Sequence, residues 1–417
     1  MKKSLFFSLL SVSLLQAQFL TLQECLDKSM KSYPDVHSFE LKVKERELSY
    51  KSAFSSYLPQ ISFNAQYNLT QTYILPVNGS FNTVDDTGWS AGVALKQKVW
   101  DFSKTSSNVD AQKIQKSISK LSLEEFKAVL AYRVKLLYAS MIVNKKAIDV
   151  RREDLKAKEA YYEQAEALVK QGLKTKADRS RFLSAVYLAK ENLSLAITNY
   201  NKVRNRLSLY INETISEDVV LQKDFIQKEF APSKEVEKEI LQKNYTLRIE
   251  DKNIEKNLLL HKSAKAAHYG SIDFIASYTY IDTLKSYKSK MAALTLNIPL
   301  YSGGRVSADA QKAKIAADIA KEQKASREIA LKEEIENLFY DIQQYKQSIA
   351  AKKAQILAAQ DTKSVLDARY KEGLATYIEV LDATSTLLGT QLGLLEVYYN
   401  RAEAIYRIDY LKGKYDE

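Results

Sequence analysis

From Ile61 to Thr70 the chain alternates, with Ile61, Phe63, Ala65, Tyr67 and Leu69 on one side and Ser62, Asn64, Gln66, Asn68 and Thr70 on the other. A period of two predicts a strand with one oily and one wet face. Trp89 to Val99 repeats the pattern, setting Trp89, Ala91, Val93, Leu95 and Val99 against Ser90, Gly92, Lys96 and Lys98. A polar stretch, residues 76–88, reads as the loop between them. A second such pair is predicted at Ile272 to Tyr280 and Ala293 to Leu300, joined by a loop around Thr283 to Lys290. The segments are about as long as the roughly nine to eleven residues a tilted strand needs to cross a bilayer.

The remaining pattern is helical. Leu20 opens a helix running to about Tyr57, with Thr21 as its N-cap and Glu24 at the capping-box position, and Pro59 ends it. Ser103 to Lys170 and Gly304 to Lys371 contain no proline and almost no glycine, so each predicts about 65 residues of helix, roughly 100 Å long. Helices of that length need lateral neighbours, and the apolar spacing around residues 123–143 supplies a coiled-coil stripe. Turns at Gly172 and Gly373 start the returning helices Thr175 to Tyr210 and Thr376 to Lys412.

These elements occur twice. Phe63, Ala65 and Tyr67 recur as Phe274, Ala276 and Tyr278; Asp110 to Lys113 recurs as Asp309 to Lys312; Gly172 and Thr175 recur as Gly373 and Thr376. The expected organisation is an export signal at 1–17, a first repeat at 18–210, a linker at 211–233 lying outside the helices, and a second repeat at 234–417. A unit holding both membrane-type strands and long helices implies a pseudo-symmetric tube. Four strands cannot close a barrel in lipid, because unpaired edges there are costly, so closure requires other subunits.

Composition narrows the function. Met1-Lys2-Lys3 followed by an apolar run from Leu5 to Leu15 and a small-residue site ending at Ala17 reads as a secretory signal. The 27 tyrosines suit aromatic girdles at membrane interfaces. The net charge of +11 does not point to nucleic acid, since lysines are interleaved with glutamates along the helices, as a solvated face requires. Cys25 is the only cysteine, which excludes an intrachain disulfide, and Glu24 before it disfavours a lipid anchor. His37, His261 and His268 have no partners at metal-ligand spacing, and the Ser117 to Lys120 match to a serine-lysine nucleophile is of chance quality in an amphipathic helix. No catalytic centre, metal or cofactor is expected.

The segment Gly373-Leu-Ala-Thr-Tyr-Ile-Glu-Val-Leu-Asp-Ala-Thr384 resembles a motif of the outer-membrane efflux proteins of the TolC family. Leu300 to Arg305 resembles that family's strand-to-helix turn, with Gly303 and Gly304 at its glycines and Trp100 to Lys104 as the first-half version. The opening from Thr21 to Val36 is also similar, with Cys25, Ser29 and Tyr33 as departures. The resemblance implies an α+β membrane protein: a homotrimer whose four strands per chain close one twelve-stranded outer-membrane β-barrel, continuing into a periplasmic α-helical barrel. It further implies outer-membrane lipid, a periplasmic adaptor (membrane fusion) protein and an inner-membrane pump of the RND, ABC or MFS type as partners. Glu379 and Asp382 match the acidic rings of the periplasmic gate. Tyr370 and Asp178 match two members of a closed-state latch, whose arginine is replaced by Ala375, leaving Lys174 or Lys176 to hold the end.

The expected function is therefore the exit duct of a tripartite efflux system. The outer-membrane component of type I protein secretion would share this architecture. A non-conducting coiled-coil envelope scaffold is a third reading, against which the amphipathic hairpins argue.

Overall fold

The computed structural model describes residues 19–77, 79–222 and 230–414. The predicted export signal lies outside them, as do residues 223–229 of the predicted linker. In chain order the elements are β1 (Phe19–Leu20), α1 (Leu22–Ser32), α2 (Pro34–Phe54), β2 (Gln60–Val77), β3 (Ser80–Trp100), α3 (Lys104–Lys170), α4 (Lys176–Ile211), β4 (Val220–Leu221), α5 (Lys234–Lys243), α6 (Tyr245–Ala266), β5 (Ser271–Asp282), β6 (Tyr287–Asn297), α7 (Arg305–Lys371) and α8 (Tyr377–Leu411). The architecture is α+β. Two compact units are present, one formed by the described residues within 1–37, 125–244 and 331–417, the other by those within 38–124 and 245–330. Each unit draws on both sequence repeats.

The second unit carries a four-stranded antiparallel sheet in the order β2-β3-β5-β6. Register sorts its side chains into two surfaces. Ile61, Leu95, Ala276 and Ala292 lie opposite one another on the mainly apolar face, as do Phe63, Val93 and Tyr278, whose row ends on Lys290 of β6. Asn64, Gly92, Thr279 and Ser289 form a row of the polar face. Phe63 is 71% and Leu294 71% exposed, the reverse of a water-soluble sheet. Gly92 is required by closeness: a Cβ there would come within 2.7 Å of the Tyr278 carbonyl oxygen.

The first hairpin is longer than its pattern predicts. Residues 76–88, read as a loop, belong mostly to β2 and β3, and the chain turns at Gly79, with φ +80°. Here the polar residues are strand residues: Thr72 donates to Asp85 across the hairpin at 2.6 Å. The second hairpin also turns earlier than expected, so β6 starts at Tyr287 and Ile298 to Leu300 lie beyond it.

In the first unit the predicted capping box is present, Thr21 Oγ1 accepting from the Glu24 amide and Glu24 accepting from the Thr21 amide. The helix expected from Leu20 to Tyr57 is broken, however. Tyr33 is extended, as the residue before a proline prefers, and Pro34 starts a new helix at the position where its missing N–H costs nothing. The core gathers Leu26, Leu130, Val134, Tyr138, Leu207, Ile240 and Ile408, all at most 2% exposed.

The linker between the repeats is more than an outer strap. Ile211 is still helical, Ile215 and Val219 are buried, and β4 pairs in parallel with β1. Tyr138 Oη donates to the Leu20 carbonyl at 2.7 Å and accepts from the Gln222 amide at 2.9 Å, while Lys145 donates to the Val219 carbonyl at 2.6 Å. Among the described residues no helix is long and apolar enough to cross a membrane.

Candidate functional site at the helical turns

The two turns that reverse the long helices have the same construction. α3 and α7 end on Gly172 and Gly373, with φ +75° and +76°, a left-handed conformation that favours glycine. The Leu173 amide reaches back to the Leu168 carbonyl at 2.9 Å, and Leu374 to Arg369 at 2.8 Å, closing the helix ends. Thr175 and Thr376 then cap α4 and α8. The strand-to-helix turns use the same region, at Gly303 (φ +61°) and Gly304 (φ +81°), but the first repeat places Phe102 (φ +53°) and Ser103 (φ +72°) there instead.

Glu379 completes the α8 capping box. One carboxylate oxygen, Oε2, accepts from the Thr376 amide at 2.7 Å and its hydroxyl at 2.8 Å. The backbone hydrogen bond, then the hydroxyl, holds its pKa below the ordinary value, so this exposed group keeps its charge further into acid. Asp382, one turn on and also exposed, lines an open groove of about 440 Å³ between α7 and α8, with Ala358, Thr362, Ala383 and Thr386. Both carboxylates therefore lie near the same turn.

Asp178 and Tyr370 are not joined by a hydrogen bond. Asp178 caps α4, accepting from the Thr175 amide at 3.1 Å and its hydroxyl at 2.9 Å. Tyr370 is 1% exposed and its hydroxyl has no hydrogen-bond partner among the described residues. Its ring meets Phe182 edge-on at 5.7 Å and lies beneath Lys174 at 5.6 Å. Burial first, and the Asp178 charge second, raise its pKa. Ala375 belongs to the same buried cluster, along with Tyr161, Ala165 and Val380, so the position has no room for exposed charge.

Polar contacts between the hairpins are made by other residues. Arg181 of α4 donates to the Tyr377 hydroxyl of α8, with its guanidinium 4.9 Å from that ring's centre. Tyr161 of α3 donates to Asp367 of α7 at 2.5 Å, and Lys363 holds the other carboxylate oxygen at 2.5 Å. Burial opposes the charge of Lys363, but the bonds to Asp367 and Tyr161 outweigh it and raise its pKa. The Lys363 to Asp367 spacing of four is legible in a helix; the Tyr161 and Arg181 contacts, some two hundred residues apart in sequence, leave no local signal. His261, by contrast, simply meets the Ala310 carbonyl at 3.0 Å.

The model of the outer membrane efflux protein family matches residues 25–213 and 237–414, and the chain belongs to that family. It is a TolC-like protein of the outer membrane. Outer membrane protein TolC of Escherichia coli (strain K12) is 24% identical over 84% of this chain and 73% of its own length. Outer membrane efflux protein BepC of Brucella suis is 23% identical over 93% and 84%. A membrane protein from Pseudomonas aeruginosa shares the fold with a TM-score of 0.83 at 17% identity, covering 95% of this chain and 91% of its own.

Proposed function

We propose that three copies of this chain form the exit duct of a tripartite efflux system, carrying small molecules from a pump and its adaptor across the periplasm and the outer membrane. The observation that carries this reading is the sheet. Its edge strands β2 and β6 each pair on one side only, and its exposed face is apolar. In lipid such edges must be satisfied by further strands, and three copies of a four-stranded sheet make a closed twelve-stranded barrel. The helices, too long to bury their stripes alone, then surround the continuing duct.

At the periplasmic end Glu379 and Asp382 from each copy form acidic rings. Six carboxylates around a constriction focus a negative field that favours cations and binds multivalent ones. The capping bond of Glu379 supports this role, since it fixes one oxygen and preserves the charge. Closure is held by Arg181 with Tyr377 and by Tyr161 with Asp367, in place of a bond between Asp178 and Tyr370. The duct does no chemistry on its cargo.

Reconstitution of the purified protein in planar bilayers tests this. Cation-preferring channels are expected, with selectivity and block by divalent cations reduced in Glu379→Gln/Asp382→Asn. Absence of conductance would remove the duct reading, and unchanged selectivity would remove the rings.

A further inference from the structure

The apolar face of the sheet changes character toward one end. Ile272 with Leu296, and Phe274 with Leu294, form its oily rows at the other. Past the row of Ile61, Leu95, Ala276 and Ala292, the edge strand turns cationic. Lys290 ends the row of Phe63, Val93 and Tyr278, and Lys288 ends the row of Ala65, Ala91 and Tyr280. The row after that holds Tyr67, Trp89 and Asp282. Aromatic and cationic side chains thus gather in three successive rows of one face.

These rows lie away from the helices. β3 and β6 lead into α3 and α7, so both long helices depart from the end where Trp100 and Asn297 lie. From Ile272 to Asp282 the strand covers about 33 Å, which at the tilt of a barrel strand rises about 25 Å, the height of the apolar band of an outer-membrane barrel. The row of Tyr67 and Trp89 therefore falls at the outer boundary of that band, where aromatic residues concentrate. Lys288 and Lys290 stand one and two rows inside it.

Both lysines are exposed, and Lys290 lies over the Tyr278 ring at 5.9 Å. Among the described residues no carboxylate pairs with either of them or with Lys285 in the turn before them. Asp282, the acid in these rows, is already occupied: Oδ2 accepts from Trp89 Nε1 at 2.9 Å and Oδ1 from the Ser286 hydroxyl at 2.5 Å. A lysine on a lipid-facing strand is costly at the midplane and tolerated near the interface, where its stem lies along apolar surface and its ammonium reaches the headgroups. Two such ammonium groups, on adjacent rows and without a carboxylate, complement an anion at headgroup depth.

We infer that Lys288 and Lys290 bind the phosphate of an anionic lipid headgroup, with Tyr278 and Tyr280 beside it and the acyl chain along Ala292 and Leu294. This rests on the barrel reading above and adds to it a lipid preference built into the edge strand.

Trp89 is placed to report on it, because its ring packs against Tyr280 at 5.2 Å and the chain has only two tryptophans. The full chain carrying Trp100→Phe is reconstituted in vesicles of phosphatidylcholine and phosphatidylglycerol, with brominated, fluorescence-quenching acyl chains on one lipid or the other. Brominated phosphatidylglycerol should quench Trp89 beyond its share of the bilayer. One lysine near an anionic lipid surface is worth about fivefold, so Lys288→Gln/Lys290→Gln should weaken the relative affinity for phosphatidylglycerol about thirtyfold. Lys288→Arg/Lys290→Arg should keep the preference, as should Lys96→Gln, which lies on the opposite face. Quenching by both lipids in proportion to their shares, or a preference that survives the double glutamine variant, would overturn the site while leaving the barrel standing. Loss of the preference on adding inorganic phosphate would overturn it in favour of a free anion. Quenching by neither lipid would instead remove the lipid-facing sheet itself.

Discussion

Replacing Tyr370 with phenylalanine separates a packing role from a latch. The hydroxyl is buried without a partner, so the folded state bears the cost of stripping water from it, about 1–3 kcal/mol for such a group. Tyr370→Phe removes that cost and keeps the ring against Phe182 and beneath Lys174. Stability should be unchanged or raised by about 1 kcal/mol. Tyr161→Phe provides the contrast. It deletes a hydrogen bond to the carboxylate of Asp367, worth about 1.5–3 kcal/mol where one partner is charged, and leaves that oxygen short of a donor. Thermal unfolding of the detergent-solubilised protein, followed by circular dichroism, and single-channel conductance in planar bilayers read the two variants side by side. Tyr161→Phe should lower the melting temperature and raise conductance, while Tyr370→Phe does neither. A loss of stability or an opened channel in Tyr370→Phe comparable with Tyr161→Phe would refute the reasoning.

Other expectations follow from the backbone and from titrating groups. Gly270 has φ +79°, and a Cβ there would sit 1.9 Å from the Asn297 carbonyl oxygen, so Gly270→Ala should lower the melting temperature or prevent folding, as circular dichroism will show. Ser103→Gly relieves a left-handed serine and should stabilise the protein by up to about 1 kcal/mol in thermal melts. Glu379 has a lowered pKa, so its stabilisation is present above the ordinary glutamate value of 4.5 and lost as pH falls through the lowered one. The stability gap between wild type and Glu379→Gln should therefore close in acid, as melts across that range will show. Cys25 is fully buried, with its thiol pushed up to about 12 chiefly by burial, and should react with maleimide only after unfolding.

Long periodic elements were legible in the sequence because period and length are local properties. The predicted starts of the two long helices differ from those observed by a single residue, and the alternating faces of β3 match its register from Trp89 to Lys98, where a bulge takes Val99 out of the pairing. The misses have physical causes. Residues 76–88 resemble a loop because Asp85, Asp86 and Thr87 carry turn chemistry, yet a strand facing water at a hairpin tip tolerates them. Pro34 breaks the first helix through backbone sterics that apolar spacing does not register. The two-residue β4 is too short for any period, and its pairing with β1 reaches across some two hundred residues. At the turns, Glu379 was visible by motif and by capping spacing together. Arg181 and Tyr377 meet only because the hairpins pack, so no local spacing records their contact.

The hydroxyl of Tyr138 bonds residues at the beginning and the middle of the chain at once, Leu20 on one side and Gln222 on the other. The bond to Leu20 spans 118 residues and the bond to Gln222 spans 84, so each must first offset the entropy of closing a long loop. Each hairpin and each helix, by contrast, forms from contacts close in sequence. The pairing of β1 with β4, which this hydroxyl fastens at both ends, should therefore form after the local elements on either side of it.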